Sequence, residues 1–383
     1  MNFDTPPDRL GTDSNKWTRY PADVLPLWVA DMDFPVAPAI TDALRQRLNH
    51  PIFGYAAAQN SLRQRIVATM KARYDWNITP ADIVMLPGVE PGFNMALKAF
   101  LLPGDYVGLQ TPAYPPMLRS PSYWGLQRRD IWLTPGEDGS WAMDEATWNT
   151  QLRGCKALLF CNPHNPTGKV YSRAELERIA HICKKENTLI ISDEIHCDLV
   201  YGDHKHTPIA ALSSEIGQRC ITLMAASKSY NIAGLKTAFA IITDPELRAR
   251  FENSRLGMVD SVNIFGLIAT EAAYAHGEEW LTELRTYLQQ NRDLLVSRLH
   301  QEVPEIRVHA PQSTFLAWLD CSQLGLPTHP YDYFLNTANI ALSNGADFHE
   351  TATQNFVRLN FGCARSTLSQ ALDRLISSVH ARS

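Results

Sequence analysis

Three short apolar runs, each followed within a few residues by a polar side chain, constrain this chain more than any other feature. Ala157-Leu158-Leu159-Phe160-Cys161 leads into the turn-rich Asn162-Pro163-His164-Asn165-Pro166-Thr167-Gly168. Thr188-Leu189-Ile190-Ile191-Ser192 runs directly into Asp193-Glu194-Ile195-His196. Cys220-Ile221-Thr222-Leu223-Met224 precedes Ala226-Ser227-Lys228-Ser229-Tyr230-Asn231. Apolar stretches of this length, bounded by polar residues and turn formers, read as buried strands. Strands buried on both faces belong to parallel sheets, whose strand ends lie along one edge. Asn165, Asp193 and Lys228 are therefore expected together, at the edge where open α/β sheets bind ligands.

Singly these residues say little, since most Ser-Lys pairs are solvated surface. Converging on one edge, they suit pyridoxal phosphate. That cofactor takes a lysine as its Schiff-base partner and an acid to keep its pyridine nitrogen protonated. A lysine desolvated at the mouth of the sheet can also act as a nucleophile toward a carbonyl.

The runs NPHNPTG, DEIH and SKSYNIAGL, in this order, resemble the fold-type I pyridoxal-phosphate enzymes of the aminotransferase class I/II superfamily. Gly11-Thr12-Asp13-Ser14-Asn15-Lys16-Trp17 and Trp28-Val29-Ala30-Asp31-Met32-Asp33-Phe34 are similar to one branch, the MalY/PatB-type cystathionine β-lyases, which are carbon–sulfur lyases. The resemblance runs from about Arg9 to the last helix. It implies an α/β fold with a mostly parallel central sheet, helices on both its faces, and a smaller α+β domain. It also implies a homodimer with shared active sites.

Carried onto this chain, the resemblance makes Lys228 the catalytic lysine and Asp193 the partner of the ring nitrogen. Asn165 joins them at the cofactor. His196 stands where the superfamily has a tyrosine touching the cofactor's phenolic oxygen. Tyr114 is expected to stack on the ring, with core packing as its alternative. Backbone N–H groups at a helix start attract phosphate, which assigns Gly88 and Val89 to the cofactor phosphate. Ser227 and Lys236 are expected there too, and Tyr55 is expected to reach the phosphate of the neighbouring subunit. Arg358, inside the apolar strand Phe356-Val357-Arg358-Leu359-Asn360, resembles the clamp on a substrate α-carboxylate; a structural salt bridge is its alternative. Ala30 and Asn165 complete the expected substrate contacts.

Several positions depart from the family. Glu90 stands where an apolar residue is common; beside a phosphate its carboxylate is expected to point away or meet a cation. Pro115 replaces the second tyrosine of some relatives. Ala225 replaces a frequent serine, and Lys236 a frequent arginine, supplying charge without a bidentate fork.

The remaining chain bounds the context. At 383 residues it exceeds one ordinary core. The expected division is an arm and part of the small domain at 1–45, a large cofactor-binding domain at 46–275, and a small domain at 276–383. The net charge of −5, without a long basic run, argues against nucleic acid and acidic membrane surfaces as partners. No apolar stretch is long enough to span a bilayer, and the acidic, proline-containing start does not resemble a signal peptide. Seven cysteines without a C-x-x-C pair suit buried thiols in a reducing cytoplasm. His204 and His206 read as a solvated loop, and no metal ligand set accompanies them. Ser172 and Glu175 form a capping box ahead of a crossover helix. A helical pattern from about Val262 to Gln290, interrupted at Gly266 and Gly277, is expected to link the domains. The function implied is cleavage of cystathionine or a related S-substituted cysteine, a small-molecule amino-acid substrate, to a thiol, pyruvate and ammonia. An aminotransferase could share every cofactor residue, and a cofactor-binding regulatory protein is a third reading.

Overall fold

The buried apolar runs assemble into a sheet of eight strands, within a computed structural model that describes residues 1–136 and 140–381. In chain order the strands are β1 (Ile83–Leu86), β2 (Tyr106–Thr111), β3 (Gln127–Pro135), β4 (Trp141–Met143), β5 (Ala157–Cys161), β6 (Leu189–Asp193), β7 (Cys220–Met224) and β8 (Ala238–Ile241). They lie side by side as β1-β8-β7-β6-β5-β2-β3-β4. The pairs from β7 across to β3 are parallel, whereas β8 runs antiparallel to both β7 and β1, and β4 antiparallel to β3. The register sets Cys161 opposite Asp193, and Asp193 opposite Leu223. The second strand runs one residue later than its apolar pattern suggests, so Asp193 is the last residue of β6.

Alternation along these strands explains the layers. Leu158, Phe160 and Ile190 enter one apolar cluster with residues of α2 (Asn60–Tyr74), the helix after α1 (Pro38–Leu48), and with the crossover helix Arg173–Lys185. Ala157, Leu159 and Ile191 enter another, with Phe93, Ala96 and Leu97 of α3 (Val89–Phe100) and Met117 of α4 (Pro115–Tyr123). Successive side chains of a strand face opposite ways, so a sheet apolar at every position must be covered on both faces. The crossover helix, α5, starts at the expected capping box, Ser172 Oγ accepting from the Glu175 N–H and the Glu175 carboxylate accepting from Ser172 N.

The linking segment is two helices, α6 (Ile264–His276) and α7 (Glu278–Glu302), rather than one. The break falls at Gly277, where a Cβ would lie 2.5 Å from the Tyr230 ring and 2.5 Å from the Ala273 carbonyl. Gly266 is a similar close approach, since a Cβ there would collide with Thr237 and the Leu235 carbonyl. Beyond α7, strands β9 (Leu316–Asp320), β10 (Ser343–Asn344) and β11 (Phe356–Asn360) form an antiparallel three-stranded sheet. The N-terminal segment joins this part of the molecule: Leu25–Pro26 pairs with Ile340–Ala341, and Phe3 and Phe34 pack against Tyr287.

Candidate active site

Strands β1, β2, β5, β6 and β7 all release their chain at the same sheet edge, and β8 begins there. Gly88, Tyr114, Asn165, Asp193 and Lys228 follow or close the first five, and Lys236 precedes the last. A cavity of about 1080 Å³ opens at this edge, walled on its far side by β10, β11 and the 28–30 segment. Every residue expected at the site lines it except Tyr55, namely Ala30, Gly88, Val89, Tyr114, Asn165, Asp193, His196, Ser227, Lys228, Lys236 and Arg358. Tyr55 is fully exposed and outside the cavity of its own chain.

Lys228 donates from Nζ to the Ala30 carbonyl at 2.6 Å. Burial, and then the positive field of Arg358, lower its amine to about 8; Asp31 and Asp193 pull the other way. Asp193 moves in the opposite sense, raised to about 7, chiefly because burial disfavours the carboxylate and also because Glu194 lies nearby. Its Oδ1 accepts from the Ile195 N–H at 3.1 Å. His196 is buried and lowered to about 3 by burial and by the cations Lys228 and Arg358, so it is neutral. Its Nδ1 has no hydrogen-bond partner among the described residues.

Arg358 lies on β11 with its guanidinium inside the cavity wall. It donates to Asn165 Oδ1 at 2.9 Å, to Ser343 Oγ at 3.0 Å and to the Trp28 carbonyl at 3.2 Å, and it packs over the Phe348 ring. Among the described residues no carboxylate pairs with it, so the structural salt bridge does not form. Burial lowers it to about 10, which leaves it cationic at neutral pH. The N-terminus of α3 has Gly88 at its cap and no capping side chain, so its first N–H groups are available to an anion. Lys236 reaches the cavity from a left-handed turn (φ +50°) ahead of β8.

Glu90 lines the cavity, exposed, on the first turn of α3, where the helix dipole favours a carboxylate, and it has no ion-pair partner among the described residues. One expectation is corrected. His206 is buried, not solvated. Its Nε2 bonds Glu194 Oε2 at 2.7 Å, and Glu194 also accepts from Ser192 Oγ at 2.8 Å. A fully buried carboxylate next to Asp193 requires such partners.

Some site residues were not legible in the motifs. Asn360 donates to the carbonyls of Val29 and Asp31, both at 2.7 Å, and Asn231 to those of Met32 and Phe34 at 2.9 and 2.8 Å. These carboxamides pin the segment that presents the Trp28 and Ala30 carbonyls. Their positions inside the R-x-N and SKSYN patterns were the only available signal. Behind the segment, Asp33 accepts from Arg9 at 2.7 Å, Lys16 at 2.8 Å and Trp17 at 2.9 Å.

The arrangement offers a desolvated amine, an acid able to hold a protonated ring nitrogen, an anion site at a helix start, and a guanidinium for a carboxylate. The sequence matches the family described as aminotransferase class I and II over residues 22–375. It is 38% identical to the cystathionine β-lyase PatB of Bacillus subtilis (strain 168), across 98% of this chain and 99% of that protein. Its structure is similar to that of a pyridoxal-phosphate-bound putative aminotransferase from Clostridium difficile 630, with a TM-score of 0.95 and 34% identity over 99% of both chains. It is also similar to cystalysin from Treponema denticola, which contains a pyridoxal 5′-phosphate cofactor, with a TM-score of 0.95 and 28% identity over 100% of this chain and 99% of that one.

Proposed function

Because the chain belongs to the aminotransferase class I and II family, we propose that it is a pyridoxal-phosphate-dependent carbon–sulfur β-lyase. Its substrate is cystathionine or a related S-substituted cysteine, and its products are a thiol, pyruvate and ammonia. The observation that carries this reading is the meeting of Lys228, Asp193 and Arg358 in one cavity, in a chain alike along nearly its whole length to a cystathionine β-lyase.

The residues present fit the cofactor. Arg358 is a buried cation and Lys228 a half-buried amine, neither with a carboxylate partner among the described residues, and the His196 Nδ1 is a buried polar atom without a bond. Lys228 would hold the cofactor covalently, Asp193 its ring nitrogen, and Tyr114 one ring face. His196 would meet its phenolic oxygen. Gly88, Val89, Ser227 and Lys236 would hold the phosphate, with Tyr55 from a second copy of the chain. Once bound, pyridoxal phosphate supplies an electron-withdrawing ring that acidifies the α-proton of an attached amino acid.

The chain's own residues do the rest. Arg358 and Asn165 fix the substrate carboxylate, which aligns the α-proton with Lys228. A lysine lowered to about 8 holds a much larger neutral fraction near physiological pH than an ordinary lysine, and the neutral amine can take that proton at Nζ. Burial disfavours the Asp193 carboxylate, and a protonated ring nitrogen facing it would supply the opposite charge that favours the ionised form.

The division at about 45 and 275 is supported by the pairing of Leu25–Pro26 with Ile340–Ala341 and by the apolar cluster that Phe3, Leu27 and Phe34 share with Leu316, Leu319 and Val357. Seven buried free cysteines suit a reducing cytoplasm. Exposed Ile52, Phe53 and Tyr55 support a homodimer in which this apolar segment crosses to the second copy.

Product analysis with cystathionine and with cysteine tests the reading. Pyruvate released without added keto acid is expected. Turnover that depends on a keto acid would make the protein an aminotransferase instead.

A further inference from the structure

We propose that His206 is a positioning residue for the pyridine nitrogen: by neutralising the Glu194 carboxylate, it leaves the negative charge of Asp193 free to hold that nitrogen protonated. The inference rests on the pyridoxal-phosphate reading and adds to it a buried pair outside the cavity.

Asp193 closes β6, and the chain stays extended through Glu194, whose N–H donates to the Leu223 carbonyl of β7 at 2.8 Å. Successive side chains of such a stretch leave on opposite faces. Asp193 therefore lines the cavity, while Glu194 turns to the side of Ser192, whose Oγ donates to Glu194 Oε1 at 2.8 Å. Two carboxylates thus stand back to back on adjacent residues, and that of Glu194 is fully buried. His206 answers it from the loop after β6, its Nε2 bonding Glu194 Oε2 at 2.7 Å. The His206 Nδ1 has no partner among the described residues, so Glu194 takes all of the imidazole's hydrogen bonding. Tyr74 of α2 packs T-shaped on the imidazole at 5.3 Å and donates to Asp198 Oδ1 at 2.5 Å. Asp198 is itself paired with Arg73 at 2.8 Å, which leaves His206 to Glu194.

Anchoring alone does not call for a charge here. A carboxamide could accept the same bonds from Ser192 and from the Ile209 N–H, which lies 3.2 Å from Glu194 Oε1. A carboxylate behind Asp193 instead makes ionisation of Asp193 harder, as like charges do. With a proton on His206 the pair is neutral as a whole, and that opposition is cancelled. Without His206, the two carboxylates would compete for a proton. Glu194 accepts from Ser192 and Ile209, and Asp193 among the described residues only from Ile195. Hydrogen bonding favours the ionised form, so the proton would fall to Asp193. A protonated Asp193 no longer offers the ring nitrogen an opposite charge.

The test compares pyridoxal phosphate with its deaza analogue, in which a C–H replaces the ring nitrogen, by their dissociation constants from the full chain stripped of cofactor. The unaltered protein should hold pyridoxal phosphate roughly 10-fold or more tighter, the scale of one charge-assisted contact. His206→Gln keeps a donor and removes the charge, so this ratio should fall several-fold, toward parity. Combining His206→Gln with Glu194→Gln removes both charges and should restore it. Glu194→Gln alone should leave the ratio at or above the unaltered value. An anchor without an electrostatic role would weaken both compounds together. A ratio unmoved in His206→Gln, unrestored in the double variant, or lowered in Glu194→Gln would overturn the inference, and the last arm decides even where His206→Gln does not fold. Binding of neither compound by the unaltered protein would remove the cofactor reading itself, and the inference with it.

Discussion

Arg358 helps set the properties of Lys228. After burial, its positive field is the next largest influence favouring the neutral form of the lysine amine. The neutral amine is the nucleophile, so reactivity must rise with pH as the proton leaves. In the cofactor-free protein, the rate of aldehyde capture at Lys228, trapped by borohydride and located by mass spectrometry, should therefore rise through a midpoint near 8. Removing a lowering neighbour should raise that midpoint, so Arg358→Leu is expected to shift it toward the ordinary lysine value of about 10.4. A midpoint near the ordinary value in the unaltered chain would show that burial does not tune this amine.

The element that joins the two sheets at the site is the extended segment from Trp28 to Phe34. It has no strand ladder of its own over this stretch, and side chains hold it instead: Asn231 and Asn360 from the front, Arg9, Lys16 and Trp17 through Asp33 from behind. Lys16 is wholly buried, so Asp33 is its compensation. Removing one partner of such a pair costs about 3–5 kcal/mol, since the other charge remains desolvated. Asp33→Ala should lower the thermal unfolding midpoint by several degrees. Adding Lys16→Met should recover part of the loss, because the stranded charge is then gone. An unchanged midpoint in Asp33→Ala would mean that the cluster does not hold the segment. This follows from the geometry and not from the sequence pattern, in which Lys16 and Asp33 were only parts of two separate motifs.

On the scale of the whole molecule, the unassigned piece is the segment around Tyr55. Its apolar side chains face solvent in the single chain, with Ile52 65% and Tyr55 100% exposed. An apolar stretch of this kind needs a cover, and a second copy that receives Tyr55 at its phosphate site would supply one. Mixing an inactive Lys228→Ala chain with an impaired Tyr55→Phe chain should then restore activity, since one site of the mixed dimer combines an intact lysine with an intact tyrosine. Mixed dimers that form and stay inactive would show that Tyr55 serves its own chain's site or none.

The strands, the capping box at Ser172 and the order of Asn165, Asp193 and Lys228 were determined by the sequence alone. They depend on period, turn chemistry and strand length, which act between residues near in the chain. The buried state of His206 and the break at Gly277 were decided only by the tertiary structure. His206 looks like surface until Glu194 is known to be sealed behind β6. Gly277 looks like an interruption within one helix until Tyr230 arrives against it. Burial and charge pairing are contacts between distant residues, and local pattern carries no record of which distant residue will arrive.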